Sequence, residues 1–134
     1  MDLVTISNMY TKVFENLKEV LDTNTNGYEV SPTYSKNASI PIITVDANKR
    51  PGQKTFEKGK TIWTVDINAI HGTYKGASTL AQEIETLILA AEDDFDANNM
   101  ILVNEPILNT NQLNRGKGRA HVKTLTYQFL VIEQ

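Results

Sequence analysis

The stretch that decides the fold is TIWTVDINAIH, residues Thr61 to His71. Trp63, Val65, Ile67 and Ala69 fall on one side of a two-residue period, and Thr64, Asp66 and Asn68 fall on the other. That alternation predicts a strand with one face in a core and one face towards solvent. Downstream, Gly72 to Ser78 reads as a turn. Thr79 with Gln82 offers a capping box for a helix whose apolar side is Leu80, Ala81, Ile84, Leu87, Ile88 and Ala91, ending near Asp93. Upstream, Ile40 to Val45 predicts a second strand, and Tyr28, Val30 and Tyr34 around Pro32 predict an edge or bent one. Between these strands, Asp46 to Lys60 loses all periodicity and reads as a long flexible loop.

The ends of the chain complete the pattern. From Ile6 to Leu21, apolar residues at helical spacing, among them Met9, Val13, Leu17 and Leu21, predict an opening amphipathic helix that stops in Asp22 to Gly27. Met100 to Val103 predicts a short strand and Asn104 to Arg119 an irregular polar segment, while Leu125, Tyr127, Phe129 and Val131 alternate in a closing strand. Two amphipathic helices and strands of this kind predict an α+β domain over residues 1–134. The sheet is expected to be mixed or antiparallel, of about four to five strands, with both helices on one face.

Composition narrows the function. At 134 residues with 40% hydrophobic and 22% charged residues, the chain has enough apolar matter for one core and too much for a disordered segment. It has no cysteine, which removes disulfides, thiolate metal sites and cysteine nucleophiles. Its longest apolar run, Leu87 to Ala91, is five residues, far below the roughly 18 that span a bilayer, and Met1 to Tyr10 is not a signal peptide. The expectation is a protein made in the cytoplasm with no membrane partner. A net charge of -3 argues against a general nucleic-acid binder.

Three motifs come close to known chemistry. Gly59-Lys60-Thr61 has the end of a phosphate-binding loop, but six residues separate Gly52 from Gly59 where the motif has four, and a strand follows where a helix is required. Asp94, Asp96, Asn98 and Glu105 occupy positions 1, 3, 5 and 12 of a calcium-binding loop, with Ile101 at position 8. However, Asn99 stands for the turn glycine and Leu102 for a ligand. A solvated acidic turn accounts for the same residues, and a small calcium- or ligand-binding domain is the alternative reading of the chain. His71 and His121 belong to no metal-spaced cluster, and Ser78 lies in GAST, outside any nucleophile elbow. No catalytic residue, cofactor or metal ligand is assigned.

The order of elements carries a likeness. An amphipathic helix, strands around a basic loop, WTVDINAIHGTYKGASTLAQEIETLILAA and the closing AHVKTLTYQFLVIE together resemble the tail terminator and tail-to-head joining proteins of long-tailed phages. The most telling piece is a strand running through a short glycine turn into A-x-x-L-A-x-x-I-x-x-L-I, here Ala77 to Ile88. The resemblance implies a non-enzymatic virion protein. Its copies would form a ring, usually a hexamer, on the end of the tail tube. That ring would dock to the head connector's stopper or adaptor proteins and let DNA pass without sequence-specific binding.

Partner contacts are expected where basic residues cluster outside the periodic elements. Asp46 to Lys60 carries five basic and two acidic residues, net +3, and its Lys49, Arg50, Lys54, Lys58 and Lys60 are candidate docking contacts. Arg115, Lys117 and Arg119, interleaved with Gly116 and Gly118, fit the same role or a plain hairpin loop.

Overall fold

The computed structural model describes residues 3–32, 40–49, 60–115 and 118–132. Among them are helices α1 (Leu3–Leu21), α2 (Tyr74–Ala90) and α3 (Glu92–Ala97), and strands β1 (Glu29–Ser31), β2 (Ile42–Lys49), β3 (Lys60–His71), β4 (Met100–Leu102), β5 (Ile107–Arg115) and β6 (Gly118–Ile132). The class is α+β, with one mixed sheet of six strands ordered β1-β2-β3-β6-β4, and β5 also pairs with β6. Among the described residues only the β1–β2 pair is parallel.

The alternation of β3 sets the two faces. Trp63, Val65, Ile67 and Ala69 are buried and stand opposite Phe129, Tyr127, Leu125 and Lys123 of β6. Val13, Leu17 and Leu21 of α1, one turn apart, and Leu80, Ala81, Ile84 and Ile88 of α2 join the same cluster, so both helices cover one face of the sheet. Trp63 is buried without an unmet donor, because its indole N–H donates to Thr61 Oγ1 at 3.0 Å. At one end of the other face, Ile42, Ile70, Ala120 and Val122 form a second, smaller cluster.

Several boundaries differ from the sequence expectation. Asp46 to Lys49 continue β2 instead of opening a loop. They pair with Asp66 to Trp63, and their apolar partners on the core side are masked in the sequence by Asp46 and Asn48 on the outer side. Lys60 begins β3, and residues 50–59 lie outside the described residues. The second helix starts at Tyr74, five residues before Thr79. Its N-cap is Thr73, in extended conformation, whose Oγ1 accepts a hydrogen bond from the Gly76 N–H at 3.0 Å. The polar segment from Asn104 is largely strand: Ile107–Arg115 pairs residue for residue with Thr126–Gly118, the long partner strand holding a sequence of weak strand propensity.

The additional helix α3 exists because of Phe95. That side chain is buried, its ring edge-on to Phe129 with centroids 5.5 Å apart, which fixes an otherwise acidic turn against the sheet. At the end of α1, the Asn24 amide donates to Leu21 O at 2.7 Å and its Oδ1 accepts from Tyr28 N at 2.7 Å, and Gly27 takes the positive φ that turns the chain into β1. Thr25, through both its N–H and its hydroxyl, donates to the Glu83 carboxylate and ties this turn to α2.

Candidate functional site

Two surfaces stand out. The first is the sheet face opposite the helices. Its middle is a set of cross-strand rows: Thr44, Asn68 and Thr124; then Asp46, Asp66 and Thr126; then Asn48, Thr64 and Gln128. These rows are knitted by side-chain hydrogen bonds. Asn68 donates to Thr44 Oγ1 at 3.0 Å and accepts from Thr124 at 2.6 Å, Asp66 accepts from the Thr126 hydroxyl at 2.6 Å, and Asn48 donates to Asp46 at 3.1 Å. Asp46 stands directly across from Asp66, and none of the nine positions is a cation. The middle of this face is polar, knitted by side-chain hydrogen bonds and without a cation to attract phosphate.

The second surface is a groove of about 500 Å3 on the helix side, where β4 gives way to β5 along β6. Glu85, Leu89 and Glu92 follow one flank of α2 and the start of α3. Glu105 and Leu108 come from the β4–β5 connection and β5, and Tyr127 of β6 forms the floor. Leu89 and Leu108 are 65% and 57% exposed, an unusual state for leucine on a rim that carries three carboxylates and no cation. Tyr127 is 1% exposed, yet its Oη finds no hydrogen-bond partner among the described residues. Burial, with the Glu85 carboxylate nearby, pushes its hydroxyl well above the usual phenol range, so it stays a neutral donor.

The structure separates the sequence candidates. Lys49 ends β2, Lys60 begins β3, and Arg50, Lys54 and Lys58 lie outside the described residues. Arg115 ends β5, Lys117 lies outside the described residues, and Arg119 is exposed on β6 with a guanidinium N–H on Gln112 Oε1 at 3.3 Å. Arg115 pairs with Gly118 and Asn114 with Arg119 at the far end of a β5–β6 ladder that runs past the end of β3 at His71.

His71 and His121 are brought together as a directly paired couple on β3 and β6, which spacing in the sequence could not reveal. His71 Nδ1 accepts from the Thr73 N–H at 3.1 Å, and the two rings stand edge-on to Tyr28 and Tyr74 respectively. Tyr74 is exposed; the hydrogen bond from the Lys123 ammonium at 3.1 Å, and its charge, lower the phenol below its ordinary range.

The remaining motifs are spread apart. Lys60 and Thr61 lie in a strand. Asp94 and Asp96 lie in the α3 helix and Asn98 caps it, donating to Asp94 O at 2.9 Å, so the loop path that would turn these carboxylates onto one ion is not taken. Among the described residues no three His, Asp or Glu side chains converge as a metal-ligand set, and no helix is long and apolar enough to cross a membrane.

The groove residues were not singled out in the sequence. Glu85, Leu89 and Glu92 share a helix flank by their spacing of four and three, but that pattern is also an ordinary solvated face, and Tyr127 reads simply as core. Compared with protein-family models and with curated protein sequences, the chain has no significant match.

Proposed function

We propose that this protein is a virion assembly protein that joins a phage tail to a DNA-filled head, its copies forming a ring, of six by the resemblance, at the end of the tail tube. Its partners in this reading are the tail tube protein, the head connector proteins and further copies of itself, and it performs no catalysis. The layout from Trp63 to Ala91 supports the likeness. The observation that carries the reading is the outer sheet face, with its hydrogen-bonded Thr, Asn and Gln rows, its Asp46–Asp66 pair and no cation in the middle. Duplex DNA carries a negative charge about every 1.7 Å, and a surface that releases no counterions on contact lets it slide. A ring with this face inward is a conduit; the helices and the groove then face neighbouring copies and the partners above and below.

The test mixes the purified protein with tails that lack their terminal component and with DNA-filled heads, read by sedimentation and negative-stain microscopy. Addition at one end of the tail, followed by restored joining, is the expected result. Association with neither tails nor heads overturns the reading.

A further inference from the structure

We infer that the acidic groove beside Tyr127 receives the basic tip of the β5–β6 hairpin, Arg115 to Arg119, of a second copy of this chain, in a head-to-tail contact. The choice of occupant rests on the ring reading; the groove's chemistry does not.

The groove asks for a particular ligand. Glu85, Glu92 and Glu105 supply three negative charges, Leu89 and Leu108 an apolar lip, and the neutral Tyr127 hydroxyl a buried donor with nothing to donate to among the described residues. An arginine- or lysine-bearing backbone meets all of these. Its aliphatic stems lie on the leucines, its cations meet the carboxylates, and a main-chain carbonyl accepts from Tyr127 Oη.

The chain carries such a segment at the other end of the same hairpin. Arg115, Lys117 and Arg119 place three cations in five residues with no carboxylate. The tip cannot reach its own groove. Nine consecutive pairs, from Ile107 opposite Thr126 to Arg115 opposite Gly118, hold the hairpin extended. At about 3.4 Å per residue the tip stands roughly 24 Å from Leu108. Only another copy's groove is available to it. Because tip and groove are different surfaces, each copy offers one to each neighbour, the head-to-tail class of contact from which rings are built when the rotation closes. The long outer edge of β5 is also uncharged from Ile107 to Asn114, so it offers none of the charged gatekeeping that keeps strand edges apart.

The absence of native cysteine makes the test clean. Leu89→Cys and Lys117→Cys are made in separate full-length chains, mixed at high protein concentration, and treated with a mild oxidant that takes up the two thiol hydrogens as the disulfide forms. The expected product is a covalent heterodimer. Its yield falls at least tenfold when the Leu89→Cys chain also carries Glu85→Gln, Glu92→Gln and Glu105→Gln, or when Asn26→Cys, on the turn after α1, replaces Leu89→Cys. A chain with both Leu89→Cys and Lys117→Cys is expected to give a ladder of covalent oligomers.

The inference is overturned by equal yield with the carboxylates removed, by equal yield at Asn26→Cys, or by a double variant that stops at a monomer or dimer. Replacement of the tip cations by serine is the complementary variant, and persistence of the heterodimer when Arg115 and Arg119 are so changed also overturns it. Oligomers that form while the protein fails to add to tails would leave this contact standing and remove the neck role. Tail addition without any cross-link would do the reverse.

Discussion

At Tyr127 the ring and the hydroxyl answer to different forces. The ring is held by the core beside Phe129, with centroids 6.2 Å apart, whereas the hydroxyl is desolvated with no partner among the described residues. Leaving a buried polar group unmet costs about 1–3 kcal/mol, so Tyr127→Phe, which keeps the shape, is expected to raise stability by about 1 kcal/mol in urea unfolding at neutral pH. Above about pH 10 the sign follows from linkage. The unfolded phenol ionises at its ordinary value, the folded one keeps its proton, the unfolded state therefore binds fewer protons, and stability falls as pH rises. The variant should lose that part of the alkaline decline, and an unchanged alkaline slope would place the loss elsewhere. Gly76 poses a packing question of another kind. A Cβ at this helical position would overlap the His71 ring, so Gly76→Ala should destabilise despite alanine's better helix propensity. Removing the ring in a His71→Ala background should turn that loss into a gain of up to about 1 kcal/mol, measured as a double-mutant cycle.

At the scale of elements, the start of α2 separates what composition suggests from what geometry selects. Thr73→Ala should cost about 1 kcal/mol by thermal or urea unfolding because it removes the acceptor for the Gly76 N–H, while Thr79→Ala, inside the helix and exposed, should instead gain a few tenths of a kcal/mol from alanine's better helix propensity. Phe95→Ala should cost about 3–5 kcal/mol and detach α3. The elements legible in the sequence are those whose apolar pattern is set locally: Val13, Leu17 and Leu21 at helical spacing, Trp63 to Ala69 at strand spacing, and Leu125 to Val131 likewise. Those missed are set by partners far along the chain. Asp46 to Lys49 are strand because β3 pairs with them, Asn109 to Asn114 because β6 does, and Glu92–Ala97 is held as a helix by the contact of Phe95 with Phe129. The candidate site follows the same rule. The basic residues could be picked out one by one, but the groove exists only where α2, the β4–β5 connection and Tyr127 meet, and no single segment encodes that meeting.

At the scale of the whole molecule, one sheet face packs on the helices and the other is given the conduit role in the proposed ring, and Asp46 is the residue that tests that division. It is exposed on β2 directly opposite Asp66, and like charges in that position oppose each other. Asp46→Lys replaces the repulsion with an opposite-charge pair across the strands, so the isolated protein should become more stable by up to about 1 kcal/mol, read as a rise in melting temperature. The same change brings a cation to the face that lines the conduit in the proposed ring, and each copy shifts that lining by two charges. Passing DNA then meets phosphate-binding groups that gain free energy from counterion release, most strongly at low salt. Joined particles should therefore form in normal numbers and release DNA more slowly, with the delay shrinking as ionic strength rises. A more stable protein whose particles eject at the ordinary rate at every salt concentration would show that this face does not meet the DNA. Slower ejection together with weakened joining would instead place Asp46 in a contact between subunits.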